Sequence, residues 1–83
     1  NSASRAQRVP FGYFQTDTEI QRFAKNMKRL REVKGLSQGD IHRATGIDRA
    51  YISNLEAGKQ NPTLETIAKI AEALGVSSGE LLK

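Results

Sequence analysis

The chain has 83 residues, of which 37% are hydrophobic and 27% charged, and it carries a formal net charge of +4. This length allows one small domain, and the composition is that of a globular chain rather than a disordered one. No apolar run approaches the ~20 residues that span a bilayer. The absence of cysteine excludes disulfides and cysteine-based zinc sites.

The positive charge is concentrated in the first half of the chain. Residues 17–35 carry +3, whereas residues 36–62 sum to zero and residues 63–83 to −1. This distribution fits a polyanionic partner, nucleic acid before membrane, and a solvated basic surface explains it equally well. Because no secretory signal pattern is present, we expect a cytoplasmic protein, associated with the nucleoid if the partner is DNA.

Residues 1–15 (NSASRAQRVPFGYFQ) show neither a helical nor a strand period. We therefore expect an irregular N-terminal arm, or a tag or linker, ahead of a domain that covers residues 16–83. One alternative is that the aromatic residues of the arm pack on the domain or on a partner subunit. Another is an arm whose Arg5 and Arg8 enter a DNA minor groove.

The first predicted helix, of about 18 residues, begins at a T-x-x-E capping box. In such a box the side chains of Thr16 and Glu19 each satisfy a backbone N–H that the helix leaves unpaired. Apolar residues then recur at three- and four-residue steps, which places them on one stripe of the helix; they are Ile20, Phe23, Met27 and Leu30. Gly35 ends the helix because it tolerates the left-handed conformation of the C′ position.

Two short helices follow on either side of Gly46. Ser37 caps the first, which covers residues 38–45, and Asp48 caps the second, which covers residues 49–57. A hydrophobic residue precedes each cap and is spaced to contact one inside the helix, as in a hydrophobic staple. Two short helices joined by a tight glycine turn are typical of a helix-turn-helix.

The second of these helices has an apolar side and a polar side. Four apolar residues are expected to lock the pair of helices at a fixed angle: Ile41, Ile47, Ile52 and Leu55. The polar or small residues near the start of the second helix then face outward, and they are Arg49, Ala50, Ser53 and Asn54. Arginine pairs with guanine, asparagine with adenine, and an alanine methyl contacts that of thymine. We therefore predict that these four residues contact DNA bases.

The remaining residues predict two further helices. Thr63 caps the fourth helix, and Gly75 ends it. Its predicted apolar face consists of Leu64, Ile67, Ala68, Ile70, Ala71 and Leu74. Ser77 and Glu80 are spaced as a capping box for a fifth helix. Five short helices without a strand pattern predict an all-α, compact five-helix bundle.

Three segments carry a family resemblance: LREVKGLSQ (30–38), TGIDRAYISNLEAGKQNPTLETIAKIAEALGV (45–76) and SSGELL (77–82). In this combination the chain resembles the XRE-type helix-turn-helix regulators, which include the lambdoid phage repressors and Cro. The resemblance implies a phage-repressor type of DNA-binding domain that acts as a homodimer on a palindromic operator. We therefore expect a sequence-specific regulator of transcription, such as a repressor, that binds double-stranded DNA and reads the major groove with helix 49–57.

The resemblance also implies roles for residues outside the base-facing set. Phosphate contacts, some of them through backbone N–H groups that follow the recognition helix, are expected from Gln38, Tyr51, Lys59, Gln60 and Asn61. Arg31 and Glu56 match a buried ion pair that ties the first helix to the third. A homodimer contact is expected at the junction of the fourth and fifth helices, formed by Leu74, Val76, Leu81 and Leu82.

One position departs from the family's pattern. The family has a small residue, often alanine, where this chain has His42. An imidazole at that position either spreads the two helices or turns outward. The departure therefore bears on the angle of the recognition helix.

No catalytic residue set is present, and we expect neither an enzyme nor a bound cofactor, metal or small molecule. His42 is the only histidine, so a metal site is not expected. The alternative function is a protein-interaction module, or an antitoxin-type domain, on the same fold. The neutral balance of residues 36–62 leaves that alternative open.

Overall fold

The computed structural model describes residues 19–83, which form five helices and no strand. Helix α1 covers residues 19–33, and the others are α2 (Gln38–Thr45), α3 (Arg49–Glu56), α4 (Leu64–Leu74) and α5 (Ser78–Leu82). The predicted all-α five-helix fold is confirmed. The N-terminal arm and Thr16 lie outside the described residues, so the capping box at Thr16 and the domain boundary at residue 16 stay predictions.

A single apolar cluster holds the helices together. α2 packs against α3 and α4, and α4 packs against α5. Every helix contributes to the buried cluster, whose members are Phe23, Met27, Leu30, Ile41, Ile52, Leu55, Ile67, Ile70, Ala71, Leu74 and Leu81. In addition, Nδ2 of Asn26 donates to the carbonyl oxygen of Leu81 at 3.0 Å, which ties α1 to α5. None of the helices within residues 19–83 combines the length and apolarity that a membrane crossing requires.

The predicted apolar face of α4 is too broad. Ile67, Ile70, Ala71 and Leu74 are buried, but Leu64 is 82% exposed and Ala68 is also exposed. At about 100° per residue, the four buried residues fall within an arc of about 100°, and Leu64 and Ala68 lie beyond one edge of that arc. Apolar character alone did not distinguish the edge of the stripe from its centre.

The predicted cap of α2 is confirmed, whereas the capping box predicted for α5 is not formed. At the start of α2, Ser37 Oγ accepts the N–H of Asp40 at 3.0 Å, and Asp40 Oδ2 accepts the N–H of Ser37 at 2.8 Å. At the start of α5 the predicted capping box is wrong, because the Ser77 side chain makes no cap hydrogen bond. The Glu80 carboxylate instead pairs with the ammonium group of Lys83 at 3.2 Å.

The turn between α2 and α3 is fastened by two side chains of α2. Gly46 has φ = 77°, a left-handed conformation that a Cβ would oppose. Thr45 Oγ1 accepts the N–H of Ile47 at 3.1 Å, and Nδ1 of His42 lies 2.7 Å from the carbonyl oxygen of Ile47. Because that oxygen can only accept, Nδ1 of His42 carries the hydrogen. The exposed His42 ring therefore turns outward and bonds to the turn instead of entering the space between the helices.

The predicted dimer surface needs correction. Leu74 and Leu81 are 2% and 0% exposed, because both side chains belong to the core of their own chain. Val76 is partly buried against that core. Of the four predicted residues only Leu82, at 47%, is exposed.

The packing of α3 predicts a sharp difference between two aliphatic truncations. Ile52 is 0% exposed in the core, whereas Val33 is 73% exposed at the end of α1. We expect Ile52→Ala to lower the free energy of unfolding by about 2–5 kcal/mol, because it leaves a cavity. Val33→Ala should change it by no more than about 0.5 kcal/mol. Urea denaturation of both variants tests this, and equal costs would contradict the assigned core.

Candidate nucleic-acid interface

The position of α3 is fixed by a buried ion pair with α1. Arg31 Nε and Nη2 donate to the two carboxylate oxygens of Glu56, at 2.6 and 2.9 Å. The two side chains are only 12% and 5% exposed. The hydrogen bond to Glu56 raises the pKa of Arg31 above its ordinary value, and burial opposes this rise. The guanidinium also donates through Nη1 to the carbonyl oxygen of Leu36 at 2.8 Å, so it fixes the start of α2 as well.

The opposite side of α3 is open. Arg49, Ala50 and Ser53 are exposed and Asn54 is half-buried. At about 100° per residue these four lie within an arc of about 140°, and the buried Ile52 and Leu55 lie outside it. We call this arc of four residues the α3 face. It carries three polar side chains and one alanine, faces away from the core and begins at the N-terminal end of the helix, so it presents hydrogen-bonding groups outward.

Gln38, predicted to contact a phosphate, lies in the first turn of α2. Its Nε2 donates to Oε1 of Glu56 at 3.1 Å, so the same carboxylate binds α1 and α2. This bond holds one end of the Gln38 amide inside the domain. Tyr51, another predicted phosphate contact, is half-buried and packs against the apolar cluster.

The loop after α3 holds three further predicted phosphate contacts: Lys59, Gln60 and Asn61. Gly58 adopts φ = 75°, and the N–H of Lys59 donates to the carbonyl oxygen of Asn54 at 2.9 Å. This bond closes a Schellman motif, so the backbone N–H of Lys59 is occupied. A phosphate contact by Lys59 would therefore use its exposed ammonium group, and a backbone contact stays a prediction for Gln60 and Asn61. Asn61 also lines a cleft with Ile20 and Phe23 of α1.

The sequence pattern missed three positions beside the α3 face. Ala57, the C-cap of α3, is exposed on the same side as Ser53. Gly39 and Arg43 of α2 lie close to the guanidinium of Arg49. The i, i+3 spacing of Asp40 and Arg43 predicts their ion pair, but only the packing of α2 on α3 reveals their proximity to Arg49.

The chain is similar to proteins of one family. Residues 27–81 match the helix-turn-helix family model HTH_3. An uncharacterized HTH-type transcriptional regulator, y4dJ of Sinorhizobium fredii, is 46% identical over 57 residues, which cover 69% of this chain and 74% of that protein. Two other curated relatives, at 44% and 36% identity, are longer, and the chain spans 56% and 48% of their length.

Solved structures agree in fold. The restriction-modification controller protein C.AhdI of Aeromonas hydrophila superposes with a TM-score of 0.74 at 36% identity, over 77% of this chain and 97% of that one. A second controller protein, C.Esp1396I, matches with a TM-score of 0.67 at 29% identity, over 77% of this chain and 95% of that one. That structure is a tetramer in complex with its natural 35 base-pair operator.

The buried ion pair predicts an asymmetric response to removal of a carboxylate. Glu56→Ala leaves the guanidinium of Arg31 buried without its partner, which is expected to lower the free energy of unfolding by about 3–5 kcal/mol. Glu72→Ala removes an exposed carboxylate of α4 and should cost no more than about 0.5 kcal/mol. Thermal or urea unfolding measures both, and a small effect of Glu56→Ala would refute the role given to the pair.

Proposed function

The chain belongs to the HTH_3 helix-turn-helix family, and we propose that it is a regulator of transcription that binds double-stranded DNA in a sequence-specific manner. The α3 face is the observation that carries this proposal. A protruding helix of this kind fits the major groove of B-DNA, which is about 12 Å wide. The named relatives are transcriptional regulators and controller proteins, and one of them is a tetramer on its operator.

Base selection is assigned to the α3 face. Arg49 presents a fork of donors that suits guanine O6 and N7, and the amide of Asn54 suits adenine N6 and N7. Ala50 is placed for a thymine methyl, and Ser53 for either kind of base edge. The fixed angle of α3 supports this assignment, because base edges are discriminated only when the donors are held in register.

Phosphate contacts position the domain on the duplex. We assign them to Gln38, Tyr51, Lys59, Gln60 and Asn61. Gln38 bonds to Glu56 in the last turn of α3, and Lys59 follows the end of the same helix. Such contacts supply affinity that depends on salt and not on sequence. The protein is proposed to be non-enzymatic and to act in the cytoplasm at the nucleoid, where its DNA partner lies.

The active form is proposed to be a homodimer on a palindromic operator, with half-sites about 34–36 Å apart or a multiple of that distance. In place of the predicted surface, we assign the dimer contact to Leu64 and Leu82, which are 82% and 47% exposed. Leu82 lines a cleft of about 190 Å³ with Pro62, two residues before Leu64. The tetrameric assembly of C.Esp1396I supports self-association on this fold.

Two substitutions separate base reading from phosphate binding. Arg49→Ala should relax base preference at one position of the site and cost about 1–3 kcal/mol against the preferred sequence. Lys59→Ala should weaken binding to all sequences alike and reduce the salt slope by about 1. Selection from a randomised duplex pool, followed by mobility-shift titration at several salt concentrations, measures both effects.

Lys69→Ala is the matched control, because Lys69 is an exposed lysine on α4 whose salt bridge, to Glu65, is with an exposed partner. It should leave affinity and preference unchanged. If the wild-type chain shows no affinity for random duplex DNA at low salt, the proposed function is wrong and the protein-interaction module is favoured.

The dimer surface predicts that Leu64→Ser and Leu82→Ser each raise the dimer dissociation constant about tenfold or more, since a buried leucine contributes ~1.5–3 kcal/mol. Val33→Ser, an equally polar change at another exposed aliphatic residue, should have no effect. Sedimentation velocity over a concentration series decides between them. A strictly monomeric wild-type chain, with and without DNA, would contradict the homodimer.

A further inference from the structure

Gly39, in the first turn of α2, has no backbone reason to be glycine. Its φ is not positive, unlike that of Gly46, and glycine inside a helix is destabilising relative to alanine. The residue is nevertheless buried. What covers it is polar, so the reason for the glycine lies in the space above its Cα.

Three polar atoms surround that space. A Cβ built on Gly39 would lie 3.4 Å from Nη1 of Arg43, 3.6 Å from Oγ of Ser37 and 3.7 Å from Nη1 of Arg49. Both guanidinium nitrogens are donors, and the Ser37 hydroxyl still has a hydrogen to donate while it accepts from Asp40. Three donors therefore border the space outward of the Cα of Gly39, where any other residue would carry its side chain.

The charge at this point is positive. Arg43 pairs through Nη2 with Oδ1 of Asp40, which leaves its Nη1 directed at the gap. Arg49 forms no salt bridge with any residue between 19 and 83. The N–H of Ser37 and the guanidinium of Arg43 hold the pKa of Asp40 below its ordinary value. This carboxylate therefore stays ionised at neutral pH and bonded to both groups. One positive charge remains in excess.

We propose that the gap over Gly39 seats one oxygen of a DNA phosphate, held by Arg43, Arg49 and Ser37. The oxygen would lie farther out than a Cβ, and Arg43 and Arg49 carry their donors at the ends of flexible side chains, so these donors can close on it to hydrogen-bond distance. Arg49 has five N–H donors, so it can hold the phosphate through Nη1 and still present a pair of donors to a base. The inference rests on the proposed function and adds Arg43, Ser37 and Gly39 to the interface.

A phosphate site over Gly39 predicts that Gly39→Ala stabilises the free domain but weakens DNA binding. The new methyl meets its neighbours at ordinary contact distances, so the free domain keeps its structure and its melting temperature should rise by about 2–8 °C. The methyl takes up part of the space that the phosphate oxygen needs and keeps it farther from the backbone, so the Kd for DNA should rise. Gly79→Ala is the matched control, since it is also a helical glycine and its Cβ would meet only Oγ of Ser77, at 3.7 Å. It should raise the melting temperature and leave the Kd unchanged.

Arg43→Gln tests the charge. With a random-sequence duplex of about three helical turns as the probe, we expect the Kd to rise about tenfold and the salt slope to fall by about 0.9. In the Arg43→Gln background, Gly39→Ala should raise the Kd by a smaller factor than it does in the wild-type chain, because both changes weaken the same phosphate site. It should still raise the melting temperature.

Two results would contradict the proposed phosphate site over Gly39. One is an unchanged salt slope for Arg43→Gln; the other is a Gly39→Ala effect on the Kd that is equally large with and without Arg43. Both are measured on a chain that binds DNA, so they are distinct from failure of the proposed function, in which the wild-type chain does not bind at all.

Discussion

The carboxylate of Glu56 is the group on which the geometry of the domain depends. It accepts two hydrogen bonds from Arg31 of α1 and one from Gln38 of α2, while it belongs to α3. Three helices are thus tied to one nearly buried charge. A buried carboxylate is stable only when its oxygens are paired, so a rotation of α3 that broke these bonds would leave a charge unsatisfied. The apolar core resists separation of the helices, but it is the directional bonds at Glu56 that resist rotation.

Because the core and the bonds at Glu56 hold α3 in place, this helix can be short and polar on one side. Eight residues are too few to form a stable isolated helix. Its order comes from Ile52 and Leu55 in the core, from the Asp48 cap, and from the Schellman turn at Gly58. None of these uses a side chain of the α3 face. The residues that face outward are therefore free to be chosen for what they bind, because the fold does not depend on them.

Local rules predicted most of this architecture from the sequence. The cap at Ser37 and the left-handed glycine at Gly46 depend only on neighbours in the chain, so their patterns are readable directly. The failures needed tertiary information. Leu64 is as apolar as Leu74, and only the packing of α4 against α2 and α5 decides which is covered. His42 left two outcomes open because the accepting carbonyl of Ile47 comes from across the turn. For the candidate site, the spacing along α3 predicted an exposed polar arc, whereas the space over Gly39 appears only when α2 meets Arg49.

The net charge of residues 36–62 is a misleading measure of the charge that a binding partner meets. Residues 36–62 carry three acids and three bases and sum to zero. The acids, however, are committed within the domain: Asp40 to Ser37 and Arg43, Asp48 to the N–H of Ala50, and Glu56 to Arg31 and Gln38. Arg49 and Lys59, in contrast, form no salt bridge within residues 19–83. A polyanion that approaches α3 therefore meets Arg49 and Lys59, while the three carboxylates are already hydrogen-bonded within the domain. The neutral sum, which left a protein-interaction module open, is thus a poor guide to the potential at this surface, and the cations beside α3 favour a polyanion such as DNA over that module.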